Sequence, residues 1–117
     1  MSKNDVHLAE IRSQVVKIVH DLAAERYERI RMARGPAQDF IKAIHDFRND
    51  GFTIVDLPED ALDELAVHGP TAEDQDWDVD IPLWTKEHGG ESGLYLYLRF
   101  RPVEGGLDGL VDYIKLD

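Results

Sequence analysis

The 117-residue sequence predicts an α+β domain, with two or three N-terminal helices packed on one face of an antiparallel three- to four-stranded sheet. Three observations predict it. Apolar residues recur every three or four positions before Gly51. From Trp77 the apolar period changes to two. Short, turn-rich links separate the later apolar runs, so neighbouring strands join as hairpins and leave one sheet face for the helices to cover. One domain is expected over residues 1–117, with a helical half over about 5–68 and a β-meander over about 77–117.

In the first helix, Leu8, Ile11, Val15, Ile18 and Leu22 form one stripe, widened by Val19 and Ala23. Asn4 or Asp5 can cap its start. Its far end carries Arg26, Arg29, Arg31 and Arg34, which suit the negative end of a helix dipole, and Gly35-Pro36 stops it. The stripe weakens near Arg26-Tyr27, so an earlier break there is the alternative. A second helix follows Pro36, with Phe40, Ile41, Ile44 and Phe47 on one face and Asn49-Asp50-Gly51 as its end. Residues 52–56 are a short β-rich run. Asp56 opens a third, short helix with Leu62 and Leu65 inward, stopped by Gly69-Pro70.

The meander begins with WDVDIPLW. Trp77, Val79, Ile81 and Leu83 face the core, while Asp78, Asp80, Pro82 and Trp84 face outward. Pro82 cannot donate to a ladder and marks an edge or a bulge. TKEHGGES is the connecting loop. LYLYLRFR then alternates without a lapse: Leu94, Leu96, Leu98 and Phe100 inward, Tyr95, Tyr97, Arg99 and Arg101 outward. Pro102 to Gly109 turns the chain, and the last strand places Ile114 and Leu116 inward, Tyr113 and Lys115 outward. Asp112 shares the inward parity of Ile114, a polar exception read as a wet strand end.

Composition narrows the function classes. The net charge is −11, and it is uneven: residues 1–50 hold 9 Lys/Arg against 8 Asp/Glu, while residues 51–117 hold 4 against 16. Such a half repels phosphate backbones, so nucleic-acid binding is not expected, and it favours encounter with a basic protein surface. No cysteine is present, which removes disulfides and thiolate metal sites and fits a reducing compartment. No apolar run is long enough for a membrane span and the N-terminus lacks a signal-type apolar stretch, so a soluble cytoplasmic protein is expected.

The stretch DQDWDVD invites a metal reading. Asp74, Asp76 and Asp78 match the first three ligands of an EF-hand loop, but the obligatory Gly and Glu positions are Val79 and Thr85. None of His7, His20, His45, His68 and His88 pairs with another at i, i+4, and there is no HExxH. No metal or other cofactor is expected. His20 and His45 precede Asp21 and Asp46, but adjacent residues do not face each other on a helix. There is no phosphate loop, GxSxG or nucleophilic cysteine, so no catalytic residues are assigned.

The block WDVDIPLWTKEHGGESGLYLYLRF resembles an uncharacterised bacterial domain family. That family carries a Trp-x-Val-Asp-(x)-x-Leu-Trp-Thr-x-Glu-x-Gly-x-Ser-x-Leu pattern after a helical half. The matching positions are Trp77, Val79, Asp80, Leu83, Trp84, Thr85, Glu87, Gly90, Ser92 and Leu94, and His88-Gly89 adds spacing in the loop. The resemblance implies a fold and no activity. The element order is similar to that of small nuclear-transport-factor-2-like (cystatin-like) folds. That likeness implies a pocket between helix 1 and the sheet, where some members use a His and an Asp; here His20, His45 or Asp112 would have to serve.

The outer sheet face remains. A regular hairpin sets Asp80 against Tyr97, Asp78 against Arg99, Asp76 against Arg101 and Trp84 against Gly93. The bland reading is a solvated face of weak cross-strand ion pairs. The functional reading is a protein-binding face formed by Asp74, Asp76, Asp78, Asp80, Trp84, Tyr95, Tyr97, Arg99 and Tyr113, because Trp, Tyr and Arg anchor interfaces. It predicts a non-enzymatic binding module of the immunity or inhibitor type that masks a basic protein partner. A small ligand-binding or enzymatic domain, and a homodimer formed through the same face, are the alternatives.

Overall fold

The computed structural model describes residues 3–70 and 75–117. Two helices, α1 (Lys3–Ala23) and α2 (Ala37–Asn49), precede four strands: β1 (Ala66–His68), β2 (Trp77–Thr85), β3 (Gly90–Val103) and β4 (Gly106–Leu116). Two 3-10 turns intervene, Tyr27–Arg29 and Glu59–Glu64. The strands form one antiparallel sheet in chain order, and helices cover one of its faces, as the α+β pattern predicts. Among the described residues, no helix is long and apolar enough to cross a membrane.

The predicted stripe buries Ile11, Val15, Val19 and Leu22 of α1. They meet Phe40 and Ile44 of α2 and the inward set Trp77, Val79, Ile81, Leu83, Leu94, Leu96, Leu98 and Phe100 in one core cluster. Periodicity of both kinds therefore identified these core faces, but Leu116, expected inward, is 44% exposed because it lies at the end of β4, beyond the reach of the helices.

The ends of α1 differ from expectation. The helix already runs at residues 4 and 5, earlier than expected, and the Asn4 and Asp5 side chains lie outside the described ones. At the other end it stops at Ala23, well before Gly35-Pro36 and slightly before Arg26-Tyr27. The stop is a left-handed cap: Glu25 has φ 60, Glu25 N–H donates to Leu22 O (3.1 Å) and Arg26 N–H to Asp21 O (2.8 Å). Glycine normally signals this cap, and its absence hid the helix end.

Beyond the first 3-10 turn the chain is extended, and Met32 bridges Val111 in parallel. Val111 N–H donates to Arg31 O (2.7 Å) and Ala33 N–H to Val111 O (2.8 Å). A stretch expected to be helical thus covers part of the exposed edge of β4, which would otherwise offer unpaired backbone groups. α2 agrees with expectation: it ends at Asn49, and Gly51 follows with φ +93.

The β-rich run 52–56 makes a single bridge, Ile54 to Thr85, supported by Val55 N–H to Trp84 O (3.0 Å) and Lys86 N–H to Thr53 O (2.9 Å). The third helix is only the Glu59–Glu64 3-10 turn, followed at once by β1, which sequence reading missed. β1 pairs Ala66 with Asp80 and His68 with Asp78. Pro82 lies between that pairing and the Thr85 bridge, and the β2–β3 register shifts between Pro82 and Trp84. The proline therefore marks a bulge, one of its two expected settings.

The first hairpin loop is also shorter than expected, because β2 reaches Thr85 and β3 begins at Gly90. Three side chains hold it. Thr85 Oγ1 lies 2.6 Å from His88 Nδ1. The Glu87 carboxylate accepts from Thr53 N–H (2.8 Å) and Oγ1 (2.6 Å). Ser92 Oγ donates to Leu83 O at 3.1 Å.

Candidate functional site

The alternation of β2 and β3 carries their polar residues to the face opposite the helices. There the register sets Asp78 against Arg99 and Asp80 against Tyr97, as expected. Trp84 opposes Glu91 and not Gly93, because the bulge after Pro82 displaces the pairing by two residues. Asp74 lies outside the described residues.

Asp76 precedes β2 and is buried, with its residue only 5% exposed. Its carboxylate lies 4.0 Å from Arg99 Nε and 3.9 Å from Arg101 Nε. It stands under the arginines and is not presented to solvent. Asp78 is more open and lies 3.6 Å from Arg99 Nε. On the edge strand, His68 Nε2 is 3.7 Å from Asp80.

β4 completes the face through a feature hidden by its apparent parity. Its register against β3 jumps from Leu98↔Val111 to Tyr97↔Tyr113, leaving Asp112 as the extra residue of a bulge. Leu110 pairs with Arg99 on the outer face before the bulge, whereas Ile114 pairs with Leu96 on the inner face after it. Asp112 is consequently not an inward core carboxylate, and it is not a wet strand end. Its side chain is 11% exposed and accepts from Arg34 Nε (2.9 Å) and Nη2 (3.3 Å). Arg99 Nη2 approaches it to 3.6 Å. These hydrogen bonds push the Arg34 guanidinium further toward its charged form. Sequence reasoning missed both Arg34 and Asp112. The adjacent apolar pair Leu110-Val111 was the available signal of a parity break.

The result is a charge lattice. Asp76, Asp78 and Asp112 meet Arg34, Arg99 and Arg101 on one face, and Asp80 lies against His68. Arginines of the N-terminal half reach carboxylates of the acidic half elsewhere too: Arg12 pairs with Asp63 (2.7 Å) and Arg31 with Asp108 (2.5 Å), while His20 Nδ1 lies 2.9 Å from Asp56. The strong asymmetry along the chain is thus partly cancelled by folding.

Beside the lattice lies an aromatic row. Tyr97 and Tyr113 stack with centroids 4.3 Å apart and an interplanar angle of 18°, and Tyr95 lies 6.5 Å from Tyr97. Tyr113 remains 48% exposed. Desolvation, followed by the influence of Tyr113 and Asp80, holds the Tyr97 phenol above its ordinary value. The indole N–H of Trp84 is buried and has no hydrogen-bond acceptor among the described residues.

The residues suggested for acid–base work are engaged separately. His20 binds Asp56, His45 stands edge-on to Tyr27 with centroids 5.4 Å apart, and Asp112 holds Arg34. Asp21 does not meet its neighbour His20; it lies 3.5 Å from Arg29. A cleft of about 290 Å³ does lie between α1 and β4, with Asp21 and Asp108 in its wall and no histidine.

Comparison with curated proteins gives no match, and neither does comparison with solved structures. A protein-family match spans residues 15–115, taking in the C-terminal part of α1, all of α2, and nearly all of the sheet with its outer face. The chain belongs to the family described as "Domain of unknown function (DUF7668)".

Proposed function

We propose that this protein is a non-enzymatic protein-binding module that engages its partner through the outer face of the sheet. The observation that carries this reading is the half-exposed Tyr97–Tyr113 stack, set on a rigid sheet within a field of arginine and carboxylate groups. Rigid aromatic side chains lose little entropy on binding, and tyrosine and arginine dominate interface energetics. The carboxylates there are held by arginines, which lowers their value as general bases. The net charge of −11 still steers a basic partner from a distance, although several carboxylates of the contact face are already paired with arginines. The concrete form is an immunity-type or inhibitor protein masking a basic partner such as a toxin domain, in the cytoplasm of a bacterial cell.

The same reading takes the Trp-x-Val-Asp…Leu-Trp-Thr block as a family signature whose job is to hold this hairpin. Its Thr85, Glu87 and Ser92 make the hydrogen bonds that fix the turn and the 53–55 segment. Kinship with nuclear-transport-factor-2-like folds rests on element order alone.

The test is affinity capture from native lysate with wild type, Asp78→Asn/Asp80→Asn and Tyr97→Ala/Tyr113→Ala, followed by titration of the purified partner. The reading requires a protein retained by wild type and bound at least ten-fold more weakly by the tyrosine variant, with affinity falling as salt rises. Equal recovery by all three refutes it. Light scattering at two concentrations checks the homodimer, which the tyrosine variant would disrupt.

A further inference from the structure

A second site is legible on the other side of the molecule, where α1, the first 3-10 turn and β4 enclose the 290 Å³ cleft. Its volume is near the lower end for small-molecule pockets, about 300 Å³. The notable group is Asp21. Its side chain is 6% exposed, yet it accepts no hydrogen bond from the described residues, and Arg29 Nη1 stays 3.5 Å away. A buried carboxylate normally has closer donors, so this one has capacity for another.

The cations around it divide into two kinds. Arg29 is committed to Asp21, and Arg31 to Asp108. Lys17 lines the same cleft and has no ion-pair partner among the described residues. Lys17 and Asp21 are four residues apart on one helix face, close enough in principle to pair, yet they do not. A gap flanked by a buried carboxylate held only by one long ion pair and by an exposed ammonium with no ion pair among the described residues suits a molecule with the opposite charges at its two ends. Gln14 adds an amide beside Gly109, and Ile18, Ile30 and Val111 supply apolar wall.

We infer that the α1–β4 cleft binds a small zwitterion of the α-amino-acid class, its ammonium on Asp21 and its carboxylate on Lys17. Such a ligand completes both groups and leaves the Arg31–Asp108 pair intact. A simple anion would satisfy Lys17 and leave Asp21 short of a donor. A simple amine would do the reverse. The site is independent of the outer sheet face.

The experiment is a two-dimensional 15N–1H NMR titration of the full chain, reading the Gly109 and Val111 amides. The probes are glycine, L-alanine and L-valine, with isobutylamine and 3-methylbutanoate as the one-ended counterparts of valine. Saturable shifts with at least one amino acid are expected. For valine, affinity should exceed that for either counterpart by at least ten-fold. Asp21→Asn should weaken binding ten-fold or more, and Lys17→Ala likewise. Lys17 is exposed, so that variant keeps the test decisive if Asp21→Asn fails to fold. No saturable shift with any amino acid overturns the inference. So does equal binding of valine and 3-methylbutanoate, or wild-type affinity in Lys17→Ala.

Discussion

Replacing Gly109 with alanine should destabilise the fold by about 1.5–3 kcal/mol. Gly109 sits in β4 opposite Phe100, on the face that α1 approaches. A Cβ there would fall 2.5 Å from Gln14 Oε1, 2.9 Å from Phe100 Cε1 and 3.4 Å from Ile18 Cδ1. Gln14 can withdraw only by giving up its 2.7 Å bond to Leu107 O, a loss of about 1 kcal/mol. Phe100 is fully buried and has nowhere to retreat, so overpacking adds about 1–3 kcal/mol. Reduced entropy of the unfolded chain offsets about 0.5–1 kcal/mol. At about 4 °C per kcal/mol for a chain of this size, Tm should fall by about 6–12 °C. Urea unfolding followed by circular dichroism measures the change, with Gly90→Ala as control. A Cβ at Gly90 meets only Trp84, at 3.9 Å, so that variant should stay within about 0.5 kcal/mol of wild type. A Gly109→Ala midpoint equal to wild type, with unchanged m, would refute the close approach of α1 to β4.

Three further outcomes are expected. The hydrogen bonds from Thr53 hold Glu87 below its ordinary carboxylate value. Its contribution is therefore present above the unfolded value, near 4.5, and lost as pH falls through the folded one. Glu87→Gln should lower Tm at pH 7, and the gap to wild type should narrow below about pH 4. Glu25→Gly should raise stability by about 0.5–1 kcal/mol by relieving the left-handed backbone, despite losing the exposed Arg48 partner, whereas Glu25→Ala should give no gain. Asp112→Ala should cost about 1–2 kcal/mol because it strands Arg99 and frees Arg34, whereas Asp78→Ala should cost less than about 0.5 kcal/mol; chemical denaturation compares them.

Much of this protein is legible in one dimension. The stripe Ile11-Val15-Leu22 and the alternation of residues 94–101 each repeat with the period of a single element, so local chemistry alone determined which faces are buried. The same alternation determined that Asp78, Asp80, Tyr95, Tyr97 and Arg99 share the outer face, and even their register held until Pro82. The missing glycine and glutamate were enough to dismiss an EF-hand. What the sequence could not carry was anything decided by a second chain segment. A helix ended on Glu25 because a left-handed cap was held by backbone bonds, without the glycine that announces one. Residues 31–33 became extended because β4 offered them an edge, and 66–68 because β2 did. The bulge at Asp112 reversed the parity of β4, which brought Arg34 to a site it lies 78 residues away from in sequence. The charge asymmetry is the plainest case. Net charge is a sum over residues and needs no fold, but the ion pairing of the outer face depends on which arginines the fold sets beside which aspartates.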